Sequence, residues 1–354
     1  MTDRNLVFRA GPVAFDSIRQ HGFAAERIGA LAGASGGAKW LVLSQLDRAI
    51  VSTIVPKLSA PVHTIATSIG AWRFACYAHA DPLAALQRLE DAYIDQSYSE
   101  TPDIHEITAI SREILSIALG ETGISDILHH PVFRFHIMTV RARGIAASEQ
   151  RTVLAASLMV AATLNAISRR TLSLFFERAL FFDPRELPPC YEETEFPMQR
   201  IELAEDNLED AIVATGSIPL ILSGVRDIAG AAPGVYRDGG IIDYHLDLPH
   251  SVEDRLTLYP HYIDRIVPGW FDKRLSWRKP NPGHFDRTIL ISPSAEFVSG
   301  LPNGKIPDRT DFLNHTPAER RKIWHAVVAA CEALGEEFNN VIEKGELEAR
   351  LIPF

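Results

Sequence analysis

Few features of this 354-residue chain point to an exported or membrane-spanning protein. It has only three cysteines, Cys76, Cys190 and Cys331, whose wide spacing predicts neither a disulfide framework nor a zinc site and favours a reducing compartment. No long apolar run follows the first residues, so no secretory signal is expected. The most apolar stretch, residues 153–164, is shorter than the roughly 20 residues that span a bilayer. The sequence therefore predicts a cytoplasmic protein.

Basic residues are also in the minority. The chain has 35 Lys and Arg against 45 Asp and Glu, which gives a formal net charge of -10. Because binding by phosphate neutralisation needs a basic face, no nucleic-acid partner is expected. Hydrophobic residues make up 46% of the chain, which is enough for a large core. One globular domain over residues 1–354 is predicted.

Short apolar runs alternate with helical patterns along the chain. Strands are predicted at residues 6–8, 28–32, 62–66, 133–140 and 288–292. Strands that alternate with helices are typical of an α/β fold with a largely parallel sheet. A mostly helical insertion is predicted at about residues 80–205. A capping box at residues 316–319 (TPAE) predicts a C-terminal helix over about residues 317–343.

Two glycine-containing turns hold the candidate catalytic residues. In residues 33–37 (GASGG), small residues flank Ser35 between a predicted strand and a predicted helix. That is the form of a nucleophile elbow, in which a sharp turn exposes a serine hydroxyl. The second turn, residues 238–240 (DGG), presents the carboxylate of Asp238. A serine and an aspartate that meet in space can perform acyl transfer without a histidine, so a lipid acyl hydrolase is predicted.

These segments resemble the patatin-like phospholipase family. Residues 214–219 (ATGSIP), just before Asp238, are similar to a small-residue segment of that family that ends in proline. The resemblance covers roughly residues 6–77 and 208–249. It implies a three-layer α/β fold with a central, largely parallel sheet, and a Ser35–Asp238 dyad that works through an acyl-enzyme intermediate.

The resemblance also implies an oxyanion hole made of backbone N–H groups. Residues 6–12 (LVFRAGP) stand where the family has its glycine-rich loop, although this chain offers Gly11 alone and Pro12 has no N–H. The expected donors are therefore Gly11, Val13 and the residue after the nucleophile, Gly36. No cofactor and no metal are expected.

A second serine competes with Ser35. Residues 66–70 (ATSIG) also follow a predicted strand and enter a helix, with alanine in place of the first glycine, so Ser68 is the alternative nucleophile. Ser35 is preferred because its glycine pattern is better and its distance from the predicted oxyanion loop suits the family. A conventional triad, with His245 or His250 as the base, is a further alternative.

The expected activity is hydrolysis of a carboxylic ester, of the phospholipase A or lysophospholipase type. The expected partner is a phospholipid or other acyl ester. Acyl transfer to an alcohol is one alternative, and a non-catalytic lipid-binding or regulatory protein of the same fold is another. Residues 259–279 interleave aromatic and basic side chains, a pattern that suits either a buried aromatic cluster or peripheral contact with an anionic membrane.

Overall fold

The computed structural model describes residues 4–354, so residues 1–3, part of the segment inspected for a secretory signal, lie outside it. Within this range eleven strands form one sheet. The strands are β1 Leu6–Ala10, β2 Ile28–Gly33, β3 Val62–Thr67, β4 Phe133–Ala142, β5 Phe176–Phe182, β6 Met198–Glu202, β7 Val225–Arg226, β8 Val235–Asp238, β9 Leu256–Pro260, β10 Thr288–Pro293 and β11 Leu351–Pro353.

Helices lie between most of these strands. The α-helices are α1 Pro12–His21, α2 Ser44–Thr53, α3 Ile69–Tyr77, α4 Pro82–Asp95, α5 Ile104–Leu119, α6 Gly123–Leu128, α7 Arg151–Ile167, α8 Leu208–Thr215, α9 Ala295–Gly300, α10 Asp311–Asn314, α11 Pro317–Ala330, α12 Glu332–Glu343 and α13 Leu347–Arg350. In the range that the structure describes, none of them is long and apolar enough to cross a bilayer.

The centre of the sheet is parallel. Strands β10, β9, β2, β3 and β4 lie side by side in this order and run in the same direction. Strands β2 and β3 are buried along their whole length, which is typical of central parallel strands covered on both faces. Antiparallel pairs, β1 with β10 and β5 with β4, lie on either side of this block. The predicted α/β fold with a central, largely parallel sheet is confirmed.

The small residues of β2 let α3 pack directly on the sheet. A Cβ atom at Gly70 in α3 would lie 2.3 Å from the carbonyl oxygen of Gly33, so only glycine fits there. This close approach brings the turns after β2 and β3 together. Those two turns contain the two candidate serines.

The range 80–205 is not a mostly helical insertion. It contains α4 to α7, but also β4, β5 and β6, which belong to the central sheet. Residues 176–182 (FERALFF), expected to be helical, form β5 because they pair with both β4 and β6. The predicted C-terminal helix is two helices, α11 and α12, which meet at Cys331, and its capping box at Thr316 and Glu319 is confirmed.

The three cysteines are free thiols in the hydrophobic core. Burial raises the pKa of Cys76 and of Cys190 to about 12, and it also raises the pKa of Cys331. Because the thiolate is the reactive form, these side chains are inert at neutral pH.

Candidate active site

Ser68 forms the junction between β3 and α3. The strand ends at Thr67 and the helix begins at Ile69, so one residue makes the whole turn. Its backbone has φ 51° and ψ -132°, a conformation that residues other than glycine rarely adopt. A strained serine between a strand and a helix is the geometry of a nucleophile elbow.

Asp238 reaches Ser68 through the pairing register of β4. Strand β3 pairs with the first part of β4 and ends with Thr67 opposite Met138. Strand β8 pairs with β4 directly beyond this point, with Asp238 opposite Thr139, while β5 occupies the other edge of β4. The carboxylate therefore lies where β3 gives way to the turn at Ser68.

A hydrogen bond joins the two side chains. Ser68 Oγ donates to Asp238 Oδ2 at 2.9 Å, and the N–H of Gly240 donates to Asp238 Oδ1 at 2.7 Å. Both Ser68 and Asp238 are buried, at 4% and 8% exposure. Burial raises the pKa of Asp238 to about 6, although its hydrogen bonds and the charge of Lys273 partly oppose this rise. A carboxylate of this pKa is ionised at neutral pH and can accept a proton.

Ser35 lies beside this pair, but its hydrogen bond goes elsewhere. Its Oγ is hydrogen-bonded to Thr67 Oγ1 at 2.7 Å, and Thr67 Oγ1 also lies 3.2 Å from the carbonyl oxygen of Asp243. Ser35 also packs on the second glycine turn, since a Cβ at Gly240 would lie 2.3 Å from Ser35 Oγ. Ser68, the alternative of the sequence analysis, therefore makes the 2.9 Å hydrogen bond to the aspartate, while Ser35 lies near enough to lower the pKa of Asp238 more weakly.

The segment 33–37 forms a loop beside the elbow. Strands β2 and β3 are parallel neighbours, so the turns that follow them leave the sheet together, and Gly36 and Gly37 line the same cavity as Ser68. The N–H groups of Gly36, Gly37 and Ile69 make no hydrogen bond to any acceptor among residues 4–354. Unpaired N–H groups next to a serine hydroxyl are what an oxyanion hole requires.

Gly11 and Val13 do not belong to this site, contrary to expectation. Because β1 runs antiparallel to β10, its carboxyl end lies at the edge of the sheet opposite the carboxyl ends of the parallel strands. The N–H of Gly11 already donates to the carbonyl oxygen of Thr288 at 3.0 Å, and Val13 is 37% exposed in α1. Of the three predicted donors, all within the described range, Gly36 alone lines the cavity.

Thr215, at the end of α8, anchors the elbow. Its Oγ1 accepts the N–H of Ser68 at 2.8 Å and donates to the carbonyl oxygen of Met138 in β4 at 2.5 Å. Sequence analysis singled out residues 214–219 only by resemblance, and the role of this hydroxyl was missed. Nothing in the sequence around Thr215 distinguishes it from other threonines, because its partner Ser68 is distant along the chain.

Thr215→Val should loosen the elbow, because the isosteric side chain leaves the N–H of Ser68 and the carbonyl of Met138 without their partner. We expect the free energy of unfolding to fall by about 1–3 kcal/mol in urea titrations. Thr215→Ser keeps the hydroxyl and is the matched control. Equal stabilities for the two variants would show that this hydroxyl does not anchor the elbow.

The histidines of the alternative triad bond to other groups. His245 Nε2 lies 2.7 Å from the hydroxyl of Tyr262, and His250 Nδ1 lies 3.4 Å from Thr257 Oγ1. Burial lowers the pKa of both imidazoles, to about 3 for His250. In the described part of the chain, no histidine is hydrogen-bonded to Ser35 or to Ser68.

A cavity of about 200 Å³ opens onto Ser68 and Asp238. Lys39, Lys273 and Arg309 also line it. Sequence analysis placed Lys273 in the aromatic and basic segment 259–279 but did not connect it with the serine, and nothing in the sequence singled out Arg309.

Comparisons with known proteins add little to this geometry. No family model matches the chain, and no curated protein matches its sequence. A solved structure similar to it is that of VipD from Legionella pneumophila, at 11% sequence identity and a TM-score of 0.33. The match covers 75% of this chain and 56% of that chain. A likeness this weak establishes no family, so function is inferred from the site itself.

Proposed function

We propose that this protein is a carboxylic ester hydrolase with Ser68 as its nucleophile and Asp238 as its general base. The observation that carries the proposal is the 2.9 Å hydrogen bond from Ser68 Oγ to Asp238 Oδ2. It joins an elbow serine directly to a buried carboxylate, the pairing that activates a hydroxyl nucleophile. The sequence resemblance to patatin-like phospholipases supports an acyl ester, of phospholipase A or lysophospholipase type, as the substrate.

Acylation begins when Ser68 Oγ attacks the ester carbonyl carbon. Its proton passes to Asp238, whose carboxylate already accepts the hydrogen bond from this hydroxyl. The tetrahedral intermediate then collapses, the bond to the alcohol oxygen breaks, and Asp238 returns the proton to the leaving alcohol. The acyl group remains as an ester on Ser68.

Deacylation repeats these steps with water. A water molecule gives a proton to Asp238 as its oxygen attacks the acyl-enzyme, and Ser68 leaves with that proton. In both steps the N–H groups of Gly36, Gly37 and Ile69 are the donors available to the oxyanion. Each such donor contributes about 3 kcal/mol in comparable sites.

A fluorophosphonate probe tests which serine is the nucleophile. Such a probe loses fluoride and forms a covalent bond with an activated serine oxygen, so we expect the adduct on Ser68. Proteolysis and mass spectrometry would locate it, and heat-denatured protein is the control for unactivated reaction. An adduct on Ser35 would make that residue the nucleophile, and an adduct on neither serine would contradict the proposal.

A further inference from the structure

Three cations line the cavity without a carboxylate partner. Among residues 4–354, the side chains of Lys39, Lys273 and Arg309 make no ion pair and no hydrogen bond. Two of them lie over aromatic rings instead: Lys273 Nζ is 3.9 Å from the ring centre of Tyr244, and Lys39 Nζ is 5.0 Å from that of Tyr262. Charges placed at a cavity wall and left unpaired are available to a ligand.

The carboxylates of the cavity are already engaged. Asp238 accepts hydrogen bonds from Ser68 and Gly240, as described above. Asp308 accepts the N–H of Thr310 at 2.7 Å and lies 3.4 Å from the ammonium of Lys305. Asp238 keeps its charge because its donors are neutral, whereas Asp308 is paired with Lys305, so an incoming anion meets three cations and the one charge of Asp238.

Lys273 is exposed as a residue, yet many atoms surround its ammonium group. This desolvation, together with the charge of Lys39, lowers the pKa of Lys273 to about 7. An anion bound in the cavity would raise that pKa again and hold the lysine in its charged form. Desolvation also lowers the pKa of Lys39; the charge of Asp308 opposes this effect, and the charges of Arg309 and Arg265 add to it.

The cavity is also small. Its volume of about 200 Å³ is below the roughly 300–1,000 Å³ that is usual for ligand pockets, so a long acyl chain would extend beyond it. Size and charge together describe a short ester that carries an anionic group.

Resting on the proposed function, we infer that the substrate is a small acyl ester bearing a carboxylate or phosphate group, which Lys273 and Arg309, with Lys39, bind in the cavity that contains Ser68. Among the expected acyl esters, this favours short anionic esters over phospholipids. Hydrolysis adds water across the ester bond, releases the alcohol and leaves the second anionic group unchanged.

Two esters that differ by one methyl group test this inference. Monomethyl succinate carries one carboxylate, whereas dimethyl succinate is neutral. We expect kcat/KM, counted per ester group and corrected for spontaneous hydrolysis, to be about tenfold or more higher for the monoester. Equal values, or a preference for the neutral diester, would overturn the inference.

Variants assign the preference to the cations. Lys273→Gln and Arg309→Gln should each lower the ratio of the two kcat/KM values about three- to fivefold, as expected for partly exposed charges. Lys57→Gln, an exposed lysine ahead of β3 at the far end of that strand from Ser68, is the matched control. A ratio that stays at the native value in both cavity variants would also overturn the inference.

A separate assay must distinguish a small ester from a lipid, because a phospholipid headgroup also carries an anionic phosphate. Vesicles of phosphatidylglycerol should be hydrolysed with a lower kcat/KM than monomethyl succinate. Faster release of fatty acid from the vesicles would overturn the assignment to small esters.

Binding separates this inference from the proposed function. Calorimetric titration of Ser68→Ala with both esters needs no turnover, and it should show tighter binding of the monoester. If the native protein hydrolyses neither ester but the variant still prefers the anion, the proposed function fails and anion recognition stands. If the variant binds both esters equally, anion recognition fails.

Discussion

Ser68→Ala is expected to abolish ester turnover, and Ser35→Ala is not. Ser68 forms the strained turn and donates a hydrogen bond to Asp238, whereas Ser35 is hydrogen-bonded to Thr67. Loss of a serine nucleophile costs on the order of 10⁴- to 10⁶-fold in kcat. Loss of the Ser35 hydroxyl removes one buried hydrogen bond, worth about 1 kcal/mol, so its effect should stay within roughly tenfold. Release of 4-nitrophenol from 4-nitrophenyl acetate measures both.

Strain provides a control that does not depend on turnover. Glycine adopts positive φ readily, so Ser68→Gly should be more stable than Ser68→Ala by about 1 kcal/mol in urea unfolding. If Ser68→Ala retained turnover and Ser35→Ala lost it, Ser35 would be the nucleophile. The positive φ of Ser68 would then be unrelated to catalysis.

Asp238→Asn is expected to remove activity while making the fold more stable. Asparagine keeps an oxygen for the N–H of Gly240 and an amide group facing Ser68 Oγ, but it cannot take a proton. We expect kcat to fall by roughly 10⁴-fold, as when a base of a catalytic serine site is lost. Asp16→Asn, an exposed position on α1, is the matched control.

The stability gain follows from the raised pKa of Asp238. Its ordinary value is 3.8 and the folded value is about 6, so the unfolded chain gives up this proton first as the pH rises. Ionisation therefore lowers the free energy of unfolding between about pH 4 and pH 6, by roughly 3 kcal/mol in all. Asp238→Asn should exceed the native protein in stability above pH 6 and match it below pH 4. An equal or lower stability at pH 7 would contradict the burial of a charged carboxylate.

The same pKa sets the pH profile of the native protein. The base must be ionised to act, so kcat/KM for a neutral ester should rise with pH up to about 6 and then level off. A midpoint near 4 would mean that Asp238 is not desolvated in the working protein.

The sequence predicted five of the eleven strands, β1 to β4 and β10, and it singled out Asp238, but it did not predict which serine Asp238 contacts. Both turns have the same local form, a strand, small residues around a serine, and a helix. Their difference lies in the pairing of β4, where β8 takes over from β3 at Thr139 and so meets Ser68. Such a register is a contact between residues about 100 positions apart, and no local pattern contains it.

The extra glycines of residues 33–37 led to the preference for Ser35 over Ser68, but they have another physical reason. They leave N–H groups unpaired at Gly36 and Gly37, and Gly33 lies against α3, so these small residues serve the loop and the packing of α3. The oxyanion donors expected at Gly11 and Val13 failed for a different reason. Apolar alternation predicts that a strand exists but not its direction, and β1 runs opposite to its neighbour β10.

The buried thiols make the native chain a suitable background for site-directed labelling. Because Cys76, Cys190 and Cys331 are buried in the core and their pKa values are raised, they should not react with a maleimide dye at neutral pH. A single new cysteine at the exposed position 310, on the rim of the cavity, would then be the one accessible thiol. A fluorophore there could report ligand entry in real time, without first replacing any of the native cysteines.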